Sequence, residues 1–183
     1  MTSIAIMNAK GGVGKSTLTM ALAETLSVYH GKSVLLIDAD GQMSLSLMMI
    51  TVERLNDLRS SAKTMGGYLA SLLPNCTPAD WRTRVASGIG DVDDATTLYL
   101  LAGDMDINLL EREFIEKRSI PSLRQGFRTL LHEAAQHVDF VLVDCAPGIS
   151  VVTECWLREC AWHIVPLRPD VLAVAGMQYL NAF

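Results

Sequence analysis

Residues 8–17 read Asn-Ala-Lys-Gly-Gly-Val-Gly-Lys-Ser-Thr, between an apolar run at 4–7 and a helix-forming stretch that extends to Tyr29. Strand, glycine-rich loop and helix in that order make a phosphate cradle, because consecutive backbone N–H groups and the positive end of the helix dipole converge on one point. Gly11, Gly12 and Gly14 let the chain turn tightly and approach a ligand with no Cβ in the way. With Val13 among them they present backbone donors. Lys15 would neutralise β- and γ-phosphates, the Ser16 hydroxyl would sit on Mg²⁺, and Thr17 would reach the α-phosphate. The strict pattern has glycine where this chain has Ala9, a small residue and a tolerable departure. One lysine suffices for such a loop, so Lys10, five positions before Lys15, is surplus to it.

Two more segments are built alike: 33–42, with Asp38 and Asp40 at its end, and 139–148, with Asp144. Each is a continuous apolar run closing on a carboxylate, the pattern of a parallel strand buried on both faces. Open α/β sheets bind ligands at the carboxyl ends of their strands, so all three carboxylates are expected near the loop. An Asp ending a buried strand is how phosphate-loop NTPases hold magnesium, which makes Asp144 a metal-side candidate. The plain alternative for each is a helix cap, but three strand ends converging on one site weigh jointly against it.

Composition narrows the class. With 183 residues, half of them hydrophobic, the chain can bury one substantial core, and it reads as a single phosphate-loop domain over 1–183. It lacks an apolar run of about 18 residues or more, which argues against a membrane span. No charged flank and cleavage site precede the first strand, so a cytoplasmic location is expected. Cys76, Cys145, Cys155 and Cys160 form no Cys-x-x-Cys pair and read as reduced thiols, not zinc ligands. The net charge of −5 provides no global attraction to nucleic acid or anionic lipid, though a local basic face is compatible with it.

At this point the residues carry a resemblance. The loop with Lys10 and Lys15, the Asp38-Ala39-Asp40 pair with Gln42, and Asp144 with Pro147 and Gly148 resemble the deviant Walker A ATPases, the ParA/MinD group that positions DNA, division proteins and other cargo. Residues 101–106 are similar to the segment after that group's third strand. Residues 162–170 are similar to its next strand and nucleotide-facing loop, which adds Pro166 and Arg168 to the cofactor-side candidates. The resemblance implies an α/β phosphate-loop NTPase: a three-layer, doubly wound, mainly parallel sheet with helices on both faces. It implies ATP/ADP and Mg²⁺ as cofactors, with slow hydrolysis. Lys10 would reach across an ATP-dependent homodimer to the nucleotide of the other subunit and stabilise charge developing on the transferring phosphoryl. Asp40 would position or activate the attacking water, Asp38 would support the magnesium shell beside Ser16 and Asp144, and Gly148 would belong to a switch segment sensing the γ-phosphate. The partners implied are a ParB-like cargo adaptor and non-specific DNA. MinD-like membrane cycling has no amphipathic C-terminal helix to support it. A metabolite kinase or ligase and a weakly hydrolysing scaffold are the other readings.

The chain departs from that pattern twice. Gly41 stands where the group usually has proline, which removes a fixed φ and puts the rigidity of the water-positioning loop in question. Phe183 falls within a helical pattern, whereas members of the group usually continue through a further strand and helix. Elsewhere, helical patterning at 21–29, 108–117, 122–136, 151–159 and from 171 alternates with strand-like runs, as a doubly wound fold requires. A helix is expected to start at Gln42, with Leu45, Leu47, Met48, Met49 and Ile50 serving core packing in preference to a partner surface. A short helix is expected near Gly66 to Leu69, and an elaborated surface loop over 74–94, in which Trp81 is half-buried between solvated arginines. Arg112, Lys117, Arg118, Arg124 and Arg128 could compose a DNA-facing surface, but interleaved Glu111, Glu113 and Glu116 favour an ordinary salt-bridged one. His132, His137 and His163 are read as structural.

Overall fold

The computed structural model describes residues 1–90 and 97–167. β1 (Thr2–Ile6) leads through the glycine loop into α1 (Lys15–His30); β2 (Val34–Ala39) is followed by α2 (Ser44–Met49), α3 (Val52–Ser60) and α4 (Met65–Ser71). A 3-10 turn (Trp81–Arg84) precedes β3 (Ala86–Ser87) and β4 (Leu98–Leu101). α5 (Ile107–Glu116), α6 (Ile120–Ala134), β5 (Phe140–Cys145), α7 (Val151–Glu159) and β6 (Trp162–Ile164) complete the described elements.

The strands form one sheet in the order β3-β4-β2-β5-β1-β6. All neighbours are parallel except β3, which runs antiparallel to β4 at the edge. Period-two alternation divides the core between the two faces. Val34, Leu36, Leu98, Leu100 and Leu142 pack with Ala23, Leu45 and Leu55 of the first three helices. Leu35, Ile37, Val141 and Val143 pack with Tyr68, Phe114, Phe127 and Trp156 of the last four. The expected three-layer, mainly parallel α/β architecture is therefore present.

α1 lies close to the sheet because its inward positions, Lys15, Thr19, Ala23 and Ser27, recur every four residues and are mostly small. It ends where Gly31 takes φ 58° and the Lys32 and Gly31 amides donate to the carbonyls of Leu26 and Ser27, closing the last turn. On the opposite face α4 approaches α6 so closely that a Cβ on Gly126 would fall 2.3 Å from Leu72 Cδ1, and the Tyr68 hydroxyl donates to the Gly126 carbonyl at 2.9 Å. Phe127 and Trp156 stack at 3.8 Å and join α6 to α7.

Three expectations need correction. The 74–94 segment is not wholly loop, since β3 pairs with Leu100 and Tyr99 of β4 and extends the sheet. Trp81 is buried, only 4% exposed, and packs into the core cluster beneath α4 and α6. Arg82 stays at the surface, paired with Asp80, while Arg84 donates to the Ala62 carbonyl. The helix after β2 breaks at Ile50, where the backbone is extended, and restarts as α3 behind a Thr51 cap. That break divides the apolar stretch: Leu45, Met49 and Ile50 are buried, whereas Leu47 and Met48 are exposed. Lys117 does pair with Glu113, but Arg124 and Arg128 both grip Glu159 of α7 at 2.7 and 2.9 Å, which joins two helices instead of presenting free cations. The helical pattern expected from 171 lies outside the described residues.

Candidate functional site

The glycine loop leaves β1 through Asn8, which is buried and makes three ties. Its side-chain amide donates to the Pro166 carbonyl at 2.7 Å, its side-chain oxygen accepts from the Lys10 amide at 2.8 Å, and its main-chain carbonyl accepts from Gly148 at 3.3 Å. One residue thus binds the loop to the end of β6 and to the segment between β5 and α7. Its position, immediately between strand and loop, was its only signal in the sequence. Gly12 and Gly14 adopt φ 71° and 88°, and a Cβ built on either would meet nothing within 4 Å. Their glycines answer a backbone requirement, and the space before them is open for a ligand. Lys15 is buried at the head of α1, Ser16 follows half-buried, and Thr17 is exposed.

Parallel register brings the acids level with this loop. Ile6 of β1 lies opposite Asp144 of β5, and Asp144 opposite Asp38 of β2, so both carboxylates point to the face that carries α1. Asp144 is 1% exposed, and neither of its oxygens has a hydrogen-bond partner. Burial pushes its pKa up to about 7; the Ser16 hydroxyl and the Lys15 ammonium pull the other way, while Asp38 and Asp40 add to the rise. Ser16 is thus near enough to act on the carboxylate electrostatically, although the contact falls short of hydrogen-bond geometry.

Asp38, fully buried, is differently occupied. Its Oδ2 accepts from the Ser46 amide at 2.8 Å and the Ser46 hydroxyl at 2.7 Å, and its Oδ1 from the Asp40 amide at 3.2 Å. Burial raises its pKa to about 6 against the pull of these donors. At most one good acceptor direction remains free. Asp40 is half-buried, and its Oδ1 accepts from the Gln42 amide at 2.9 Å while its carbonyl accepts from Met43 at 3.0 Å. This Asx turn stiffens the loop that Gly41 would otherwise leave loose. A Cβ on Gly41 would lie 3.0 Å from Nδ2 of the exposed Asn108 side chain on α5, a neighbour able to move aside. Gly103 was also missed as a site residue: a Cβ there would lie 2.9 Å from Asp38 Cγ and 3.0 Å from the Asp40 carbonyl.

The structure therefore brings Lys10, the 11–17 loop, Asp38, Asp40 and Asp144 to one end of the sheet, with Pro166 tied in through Asn8. Arg168 lies outside the described residues. Among those described, no three His, Cys, Asp or Glu side chains gather as a metal cluster. Magnesium is commonly held by one or two carboxylates plus substrate phosphates and water, and the Asp144 oxygens, without a hydrogen-bond partner and near Ser16, fit such an ion. A cavity of about 780 Å³ between α4, residues 73–80 and α6 shares no residue with the site.

The family model described as AAA domain matches residues 1–183. The sporulation initiation inhibitor protein Soj of Bacillus subtilis is 27% identical over 184 residues, covering 97% of this chain and 62% of its own length. The structure of pNOB8 ParA bound to nonspecific DNA superposes with a TM-score of 0.72 at 25% identity, over 98% of this chain and 58% of that one. A plasmid partition protein from Borrelia burgdorferi shares the fold, with a TM-score of 0.76 at 24% identity over 99% of this chain and 72% of its own. The chain spans less than two thirds of the length of Soj and of pNOB8 ParA. By sequence, fold and the residues gathered at the sheet's carboxyl end, this chain belongs to the AAA domain family and is similar to its ParA and Soj members.

Proposed function

We propose that the chain binds ATP with Mg²⁺, dimerises around it and hydrolyses it slowly, and that the cycle positions DNA or another cargo through a ParB-like adaptor. The observation that carries the reading is the pairing of an open glycine loop bearing two lysines with a buried, unpartnered carboxylate at the end of the adjacent strand. Gly11, Gly12, Val13 and Gly14 offer backbone donors to the phosphates, Lys15 adds a buried cation, and Thr17 stands at the first turn of the helix. Ser16 and Asp144 would hold Mg²⁺, which bridges phosphate oxygens and neutralises their charge when bound. Asp40, fixed by its own turn, orients water for attack. Lys10 lies exposed on the rim of the loop, where it serves the nucleotide of a second subunit. Pro166, whose carbonyl accepts from Asn8, borders the site on the β6 side.

Non-specific DNA is the preferred matrix because pNOB8 ParA was solved bound to it. Among the described residues no helix is long and apolar enough to cross a membrane. Sedimentation of the Asp40→Ala protein with ATP and Mg²⁺ tests the cycle, because hydrolysis is blocked while Lys10 is intact. A dimer is expected, and an unchanged monomer would count against the reading. ATPase measurements with duplex DNA and with anionic vesicles separate the matrices: stimulation by DNA supports partitioning, and stimulation by vesicles alone replaces it with a membrane cycle.

A further inference from the structure

Asp38 stands one strand away from Asp144, level with it in the sheet, yet the two carboxylates are held in opposite ways. The difference lies in Ser46. α2 begins behind Met43, whose side chain makes no cap and whose backbone takes the left-handed φ of 56°. Ser46 is the third residue of that helix, and its amide is one of the donors that a helix start leaves without a partner. Asp38 accepts it at 2.8 Å, and so caps the helix from eight residues upstream. The Ser46 hydroxyl donates to the same carboxylate oxygen at 2.7 Å and accepts from the Gly103 amide at 2.8 Å. Asp38 and Ser46 have no exposed surface. Gly103 is buried with them, packed so closely that any Cβ would collide with Asp38 and with the Asp40 carbonyl. Asp40 hangs from the same network, its amide donating to Asp38 Oδ1.

We propose that Ser46 is a positioning residue for the reaction: its single hydroxyl joins the end of β2, the head of α2 and the segment after β4, and so fixes the backbone that carries Asp40. Asp38 is then chiefly the acceptor of this junction, with Asp144 and Ser16 left to hold the metal. The inference rests on the proposed ATPase reading for its kinetic consequence but not for the junction itself. Buried networks of this kind are strong when every member is satisfied and fail together when one is removed.

Because Ser46→Ala could fail to fold, the comparison is Ser46→Thr against Ser46→Val in the full chain. The two side chains have nearly the same volume and differ in the hydroxyl. Two measurements are made: steady-state Mg·ATP hydrolysis, and amide hydrogen exchange at Asp40, Ser46 and Gly103. Thr is expected to keep kcat within about threefold of the parent, whereas Val lowers kcat by tenfold or more with KM changed less than threefold. Exchange at Asp40 and Gly103 should quicken at least tenfold in Val and stay slow in Thr. Equal kcat in Thr and Val, a loss expressed in KM alone, or unchanged exchange in Val would each overturn the proposal. If the parent hydrolyses no ATP, the ATPase reading falls, and the exchange comparison alone decides whether the hydroxyl holds the junction.

Discussion

Replacing Asp144 by Asn separates what the carboxylate costs the empty protein from what it does for the loaded one. In the fold its pKa is pushed up to about 7 from an ordinary 3.8, chiefly by burial. A group raised in this way favours the folded state fully below pH 3.8, and that contribution is lost as pH climbs through about 7. At about 1.4 kcal/mol per tenfold change in proton affinity, the total is roughly 4 kcal/mol, of which roughly 3 kcal/mol is lost between pH 5 and 8.5. Asp38, raised to about 6 for the same reason, adds a slope that both proteins share. Urea unfolding in EDTA at pH 5, 7 and 8.5 should therefore show the parent losing stability faster than Asp144→Asn. At about 2 kcal/mol per molar urea, the midpoints should diverge by about 1–2 M at alkaline pH. Adding Mg²⁺ and a non-hydrolysable ATP analogue at pH 8.5 should raise the parent's midpoint more than the variant's, because the loop and Lys15 still hold the nucleotide in both but a neutral amide offers the ion no charge. Parallel pH slopes for the two proteins would refute the argument that an unpartnered, ionisable carboxylate is buried beside Ser16.

Two further outcomes are expected. Lys15→Ala should abolish nucleotide binding measured by fluorescence titration, whereas Lys10→Ala should leave it within a few-fold and remove ATP-dependent dimerisation in sedimentation; equal losses of binding would place both lysines on the same nucleotide. Gly126→Ala should destabilise the fold by about 1–3 kcal/mol in urea, since its methyl would overlap Leu72, only 2.3 Å away. Adding Leu72→Ala should make the two changes less than additive.

Much of this architecture could be read from the chain because the determining signals are local. A continuous apolar run gave β2 and β5, and glycines at 14 and 31 mark the ends of α1. α7 is bounded by Ser150, which accepts from the Thr153 amide, and it covers the residues that periodicity assigned to it. What escaped depends on partners distant in sequence. Ala86 and Ser87 are a strand only because Leu100 and Tyr99 lie beside them, and two residues carry no periodicity. Trp81 is buried by the core cluster it joins under α4 and α6, a fact that the flanking arginines conceal. Arg124 and Arg128 find their acid on α7, more than thirty residues away, not among the glutamates of α5.

The three carboxylates show where reading by pattern stops. Asp38 and Asp144 close similar hydrophobic strands and lie level in the sheet, so pattern alone gives them one role. The path of the chain beyond each strand separates them. After β2 the chain turns through Asp40 and Met43 and returns a hydroxyl and an amide from Ser46 to Asp38. After β5 it runs through Pro147 and Gly148, and Gly148 donates to Asn8 instead of to Asp144. One acid is thereby absorbed into the scaffold, and the other is left without a hydrogen-bond partner, its desolvation only partly offset by Ser16 and Lys15. A buried charge without a partner is tolerated when a ligand supplies what the fold withholds. On that ground Asp144, more than Asp38, is where a cation belongs, and the stability that the empty protein forgoes at neutral pH is the free energy a bound cation would recover.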